Sequence, residues 1–153
     1  MATNKIYERL ATLELGVPQS AGNNVAITSG APVLFGTTVT AGKALAAVSV
    51  EATGASPSVN PQNENVPFFT ADFEGVYSLT CSATTLESPS AGAAINPGDM
   101  VYYTEGTYDK NTGVTYGGYL TVDTTGVPFG RSMDALAAGQ TGSLRIILAN
   151  VGR

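Results

Sequence analysis

The sequence predicts an all-β protein: a small antiparallel β-barrel or sandwich-like domain with long loops and an extended N-terminal arm. Short runs of β-branched and aromatic residues recur along the chain, and many of the 18 glycines and 8 prolines mark turns between them. Roughly eight to ten such runs can be counted, which is typical of antiparallel barrels and sandwiches. A chain of 153 residues corresponds to one domain that can bury a core without disulfides.

Residues 1–24 are predicted to form an N-terminal arm and a polar linker, and residues 25–153 a single β domain. The arm is charged and partly apolar, whereas no charge occurs between Glu14 and Lys43. One interpretation of the arm is a frayed terminus. The other is a segment that becomes ordered against a partner, because it offers four apolar anchors: Ile6, Tyr7, Leu10 and Leu13.

The conformation of the arm stays open between helix and strand. Ile6, Leu10 and Leu13 recur at helical spacing, while Leu13 and Leu15 alternate as they would in a strand. Gly16-Val17-Pro18 ends the arm in either case.

Three strands and a long loop are predicted in the next part of the chain. The strands are a short run at 25–28, a buried strand at 32–36 and, after a turn at 41–43, a run within 44–50. Residues 54–67 contain three prolines and few large apolar groups. This composition predicts a long surface loop.

Residues 68–82 are predicted to form the clearest strand pair, with the turn near 72–75. Alternation places Val76, Ser78 and Thr80 on one face of the second strand. The opposite face would then carry Tyr77, Leu79 and Cys81.

The remaining elements are predicted from similar signals. They are a flexible stretch at 87–94, a turn at 95–99, a strand at 100–104, a hairpin with a polar tip at 108–116, an alternating run at 119–125, a short segment at 129–132, a helical turn or loop at 133–139, a turn at 140–143 and a buried strand at 144–151.

Composition excludes several classes of function. The chain has no histidine, which removes histidine-based general-base catalysis and most zinc sites. The net charge is −5 and there is no basic cluster, so we expect no nucleic-acid partner. No apolar run of about 18 residues exists, so we expect no membrane span. The N-terminus lacks a secretory h-region, and a single cysteine cannot form an internal disulfide. We therefore expect synthesis in a cytoplasm.

Four motifs suggest a chemical function, and each also has a simpler structural explanation. The stretch 36–43 has the wrong spacing for a phosphate-binding loop and lacks its Ser or Thr. Asp109, Asn111 and Gly113 resemble part of a calcium loop, but they suit a hairpin tip equally well. Asp72 and Glu74 could form an acid/base pair, although solvated turn charges explain them. Cys81 is predicted to be a buried, inert thiol. We therefore expect no enzyme, no cofactor and no metal.

Seven of the twelve aromatic residues are tyrosines. Tyrosine is enriched at protein interfaces because it combines contact area with a polar tip. Ordinary cross-strand packing is the alternative explanation. The seven are Tyr7, Tyr77, Tyr102, Tyr103, Tyr108, Tyr116 and Tyr119.

The order of these segments resembles the head decoration, or capsid cement, proteins of tailed bacteriophages. The likeness extends from about Lys5 to Val151, although Ala31 replaces the usual acidic residue and the loops 54–67 and 105–118 are longer than in many relatives. The motifs that carry it are Gly30-Ala31-Pro32-Val33-Leu34-Phe35-Gly36, Gly75-Val76-Tyr77-Ser78-Leu79, Gly98-Asp99-Met100-Val101-Tyr102 and, loosely, Gly130 through Ala149.

The resemblance implies a virion structural protein on the outside of an icosahedral capsid. Its partners would be the major capsid protein and further copies of itself, as a homotrimer at three-fold and pseudo-three-fold positions. The arm residues would contact the shell or a neighbouring copy, by strand addition or by filling a groove. The alternatives are a virion or surface β-module that binds a host glycan or receptor through loops 54–67 and 105–118, and an enzyme built on Asp72 and Glu74.

Overall fold

The computed structural model describes residues 12–37, 44–50, 52, 68–84 and 92–148. Within these ranges there is no helix, and the chain forms thirteen strands, so the predicted all-β class is confirmed. The strands, β1 to β13 in chain order, are Thr12–Gly16, Gln19–Ser20, Asn23–Asn24, Pro32–Phe35, Leu45–Ser49, Phe68–Asp72, Val76–Ser82, Met100–Thr104, Thr107–Asp109, Val114–Tyr116, Tyr119–Thr121, Val127–Ser132 and Thr141–Leu148.

Eleven of these strands build two layers. The first is a six-stranded sheet in the order β1-β6-β5-β4-β10-β9, with antiparallel pairing throughout. The second is a closed five-stranded barrel in the order β11-β7-β13-β12-β8. Its pairs are antiparallel except for β11 and β7, which run parallel. The remaining two strands, β2 and β3, form a small hairpin.

Two apolar clusters lie on opposite faces of the six-stranded sheet. On β4, Leu34 belongs to the larger cluster, which also fills the barrel, and Val33 belongs to the smaller one. On β5, Ala46 and Ala47 divide in the same way. Because successive side chains of a strand point to opposite faces, the central strands are buried on both sides. This explains why β4 and β5 have nearly continuous apolar sequences.

One bent hairpin links the two layers. β8 pairs with β11 in the barrel, and β9 pairs with β10 in the sheet, so residues 100–121 form one ribbon with its tip at 110–113. At the bend, Glu105, Gly106 and Gly117 have positive φ angles of 59°, 87° and 74°. The Tyr103 hydroxyl accepts a hydrogen bond from the N–H of Gly118 (2.8 Å), which fixes the bend to the barrel core.

The predicted strand pair at 68–82 is wrong as a pair, although both strands exist. β6 pairs with β1 and β5 in the sheet, whereas β7 pairs with β11 and β13 in the barrel. The predicted alternation along β7 is confirmed, with Leu79 and Cys81 buried and Val76, Ser78 and Thr80 exposed.

Other boundaries also differ from the prediction. Residues 25–28 are irregular rather than a strand, although Ile27 is buried in the smaller cluster. Residues 133–139, predicted as a helical turn or a loop, form a loop that Leu136 bridges to Ile95. The turn predicted at 140–143 lies slightly earlier in the chain. It ends at Gly139, and β13 begins at residue 141. β13 is half-buried, since its exposed and buried residues alternate from residue 143 onwards. The turn at 41–43, the loop 54–67, most of 87–94 and residues 149–151 lie outside the described residues.

Candidate interaction surfaces

The root of the N-terminal arm is an edge strand of the six-stranded sheet. β1 pairs with β6 from Thr12↔Asp72 to Gly16↔Phe68. Leu13 on this strand is 38% exposed, whereas Leu15 is buried in the smaller cluster. Of the four predicted anchors, Ile6, Tyr7 and Leu10 lie outside the described residues, so only Leu13 can be placed.

The linker that follows the arm also packs into the fold. Val17 is buried in the smaller cluster, and β2 and β3 close a hairpin over Ala21 and Gly22. Both of these residues have positive φ, 50° and 79°, as a two-residue hairpin turn of the primed type requires. Residues 12–24 are therefore anchored to the β structure, and a truncation that spares the fold must stop at residue 11.

The carboxylate of Asp72 has a structural role. It accepts hydrogen bonds from the Thr12 hydroxyl and from the Tyr77 hydroxyl, each at 2.5 Å. Burial and the neighbouring Asp72 raise the pKa of Tyr77 to about 12. Glu74 accepts the same tyrosine hydroxyl through its backbone carbonyl (3.1 Å). These bonds tie β1, β6 and β7 together.

The Asp109-Asn111-Gly113 motif forms a closed turn at the hairpin tip. The Asp109 carboxylate accepts the backbone N–H of Gln19 (3.0 Å) and of Asn111 (2.9 Å), and the Gly113 N–H donates to the Asp109 carbonyl (2.8 Å). Burial raises the pKa of Asp109, but the hydrogen bonds from the backbone N–H groups of Gln19 and Asn111 lower it, and the pKa lies below its usual value. No group of three or more metal-ligating side chains occurs in the described part of the chain.

The thiol and one tyrosine lie within the barrel core. Cys81 is fully buried, and burial raises the pKa of its thiol to about 12, so the predicted buried thiol is confirmed. Tyr103 is also fully buried and stacks on Phe129, with ring centroids 6.1 Å apart. Tyr119, by contrast, is 38% exposed, and Tyr108 is 44% exposed.

A cleft of about 330 Å³ opens between the segment 28–32 and strands β7 and β11. Among the described residues, no charged side chain lines it, and several of its lining residues carry hydroxyls: Thr28, Ser29, Ser78, Thr80, Ser82 and Tyr119. Burial and the neighbouring Glu105 carboxylate raise the pKa of the Tyr119 hydroxyl. Such a lining offers hydrogen bonds to a neutral ligand and no charge to an ionic one.

Residues 105–118, predicted as a long loop, contain two short strands. β9 and β10 occupy much of the segment, and Thr115 is fully buried, with its hydroxyl donating to the Gly36 carbonyl at 2.6 Å. The sequence predicts both a hairpin at 108–116 and a long loop over 105–118. The pairing of β9 with β10 confirms the hairpin.

Comparison with protein-family models, with curated proteins and with solved structures gives no match for this chain. Among the described residues, no helix is long and apolar enough to cross a membrane.

Proposed function

We propose that this chain is a head decoration protein of a tailed bacteriophage, which binds the outside of the assembled capsid and stabilises the contacts between major capsid protein subunits. The observation that supports this most is the position of β1. This strand fixes the root of a charged, partly apolar arm to the edge of the six-stranded sheet and exposes Leu13 there. An arm that starts at a sheet edge is suited to strand addition or to filling a groove on a partner.

The resemblance of the sequence motifs supports the same proposal. The motifs that carry the resemblance include the Pro32–Phe35 strand of the sheet and the Val76–Ser82 and Met100–Thr104 strands of the barrel. In the described residues that we singled out for chemistry, Asp72 and Asp109 are engaged in structural hydrogen bonds and Cys81 is buried. The proposal therefore assigns the chain a binding role and no catalysis.

In this proposal the protein acts as a ligand that binds only the assembled state of the capsid. A protein that binds the assembled shell, and not free subunits, stabilises assembly by mass action. Many weak contacts repeated over the lattice then act together. We propose that the chain is made in the host cytoplasm and acts on the virion exterior, as a homotrimer at three-fold and pseudo-three-fold positions.

Co-sedimentation with shells tests the proposal. Purified protein is mixed with mature, expanded shells stripped of decoration, with unexpanded shells and with free capsid subunits. We expect saturable pelleting with the expanded shells alone. Absence of pelleting with every shell would refute the proposal.

Deleting residues 1–11 tests the role of the arm. This truncation removes Ile6, Tyr7 and Leu10 and leaves β1 with its buried Leu15 in place. We expect shell binding to be lost while the temperature of thermal unfolding is unchanged. A Leu13→Ser variant of the full chain is the matched test at the root of the arm. Unchanged binding by both variants would show that the arm is not the contact.

A second candidate function is recognition of a host glycan, and the hydroxyl-lined cleft favours it. Its volume of about 330 Å³ would accommodate a small saccharide, and Tyr119 offers an exposed ring at its edge. A glycan array run with wild-type protein and with a Tyr119→Ala variant tests this function. Binding that depends on Tyr119, without binding to shells, would favour it over decoration.

A further inference from the structure

The outer surface of the barrel carries a row of apolar and cationic side chains that crosses four neighbouring strands. Ile147 of β13 lies opposite Val76 of β7 on one side and opposite Arg131 of β12 on the other. Arg131 in turn lies opposite Met100 of β8. Side chains directly opposite each other on neighbouring strands are close enough to form one continuous surface.

A second, shorter row lies beside the first. Arg145 precedes Ile147 by two residues on β13 and therefore lies on the same face. The Met133 N–H donates to the Arg145 carbonyl (2.8 Å), which places Met133 beside it at the end of β12. We define the barrel patch as these two rows together: Val76, Met100, Arg131, Met133, Arg145 and Ile147.

Three of the four apolar residues of the patch are exposed to solvent, and the fourth, Met100, is half-buried. Val76 is 52% exposed, Ile147 45% and Met133 40%. A single exposed apolar residue is ordinary in a soluble protein, but a contiguous group marks an interaction surface. Methionine and arginine around an aliphatic centre are also the residue types enriched in protein interfaces.

The charges of the patch indicate what kind of surface it would meet. Arg145 is paired with Asp134 (2.6 Å). Arg131 donates through Nη1 to the Gly98 carbonyl (2.8 Å) and has no carboxylate partner within the described ranges. The whole chain has only seven basic residues against twelve acidic ones, so an unpaired arginine beside exposed Ile147 is distinctive. A carboxylate on a partner could bind this guanidinium in a bidentate geometry.

We infer that the barrel patch docks onto an acidic, apolar-centred surface of a protein partner. The inference rests on the proposed function, in which that partner is the assembled shell, and it adds which face of the barrel meets it. The patch and β1 belong to different layers of the fold, so each can be changed without touching the other. Asp134 already neutralises Arg145, so Arg131 is the residue of the patch that would bind a carboxylate of the partner.

Two substitutions in the patch, each with a matched control, test the inference. Arg131→Glu reverses the unpaired charge, and Lys110→Glu makes the same charge change at the hairpin tip. Ile147→Ser removes an exposed apolar side chain, and Leu45→Ser does so at a comparable exposure of 42% on the six-stranded sheet. Each variant is titrated onto stripped, expanded shells by co-sedimentation, and its thermal unfolding is recorded.

We expect Arg131→Glu and Ile147→Ser to weaken binding by about tenfold or more, as for residues central to an interface. The two controls should bind as the wild type does. Equal binding by patch variants and controls would overturn the inference while leaving the proposed function in place. Failure of the wild type to bind any shell would overturn the proposed function itself, and the inference with it. If Ile147→Ser unfolds, Arg131→Gln provides the second variant, with the same expected loss of binding.

Discussion

Replacing Gly118 by alanine is expected to disrupt the bend of the long hairpin. A Cβ atom at this position would lie 2.5 Å from Cζ of Tyr103 and 2.7 Å from the Thr104 carbonyl oxygen. Both distances are well inside van der Waals contact. The Tyr103 ring is fully buried and stacked on Phe129, so it has no free space into which to move.

The size of the destabilisation by Gly118→Ala depends on which neighbouring atoms must move. Overpacking a buried site costs about 1–3 kcal/mol, and more when backbone is displaced. Here one of the colliding atoms belongs to the backbone of β8. The substitution also threatens the hydrogen bond from the Gly118 N–H to the Tyr103 hydroxyl. We therefore expect a loss of about 3 kcal/mol in the free energy of unfolding.

The neighbouring Gly117 provides a control for conformational strain alone. Its φ is +74°, but a Cβ atom there would meet nothing within 4 Å. Alanine at this position should cost about 1 kcal/mol, the penalty of a left-handed backbone. Asparagine, which tolerates that conformation better, should cost less than alanine.

Urea denaturation of the three variants measures these differences. A gap of about 2 kcal/mol between Gly118→Ala and Gly117→Ala corresponds to a midpoint difference of about 1 M. A Gly118→Ala variant at least as stable as Gly117→Ala would refute the account of the bend, because it would show that Tyr103 does not restrict this site.

Three further outcomes are expected. Tyr103→Phe removes the acceptor for the Gly118 N–H and should lower stability by about 1 kcal/mol, seen as a fall of about 2–4 °C in Tm; an unchanged Tm would contradict this. Because burial raises the pKa of the Cys81 thiol to about 12, a thiol reagent at pH 8 should label unfolded protein but not native protein, and rapid native labelling would show that the thiol is accessible. Hydrogen bonds from the Arg145 side chain and backbone lower the pKa of Asp134 to about 2, so the pair stabilises the fold above about pH 4 and this contribution is lost as the pH falls toward 2. In an NMR titration, Arg145→Gln should raise the Asp134 pKa part of the way to its ordinary value, since the backbone N–H still donates; no change would argue against the pair.

Local patterns predicted the elements whose evidence lies within a few residues. Alternation along Val76–Ser82 correctly assigned the buried and exposed faces of β7. Asp109 and Gly113 correctly indicated a hairpin tip, because a short carboxylate chain can bond its own turn and glycine adopts a positive φ of 75° there.

The choice of partner strand could not be predicted in the same way. The sequence 68–82 has the appearance of a hairpin, yet its two strands enter different layers. The information that separates them is non-local: seven residue pairs join β7 to β13, about sixty to seventy residues later in the chain. The burial of Leu15 depends in the same way on its pairing with Phe69.

Of the two candidate interaction surfaces, one could be predicted from local sequence and the other could not. Leu13 could be selected from the sequence because apolar residues in a charged arm are conspicuous. The barrel patch could not, since Arg131, Arg145 and Ile147 come together only through the register of β12 and β13. Along the chain alone, the sequence LRIIL in β13 indicates a buried strand and gives no reason to consider its exposed half.

The bent hairpin also has a mechanical consequence. Because β8 and β11 belong to the barrel and β9 and β10 to the sheet, the two layers share a continuous double-stranded ribbon. A force that enters at the sheet edge, where the arm begins, can be transmitted into the barrel along peptide bonds and ladder hydrogen bonds as well as through packed side chains. We therefore expect the two layers to resist being pulled apart and to fail together under load, which is what the proposed role between subunits of a shell would require.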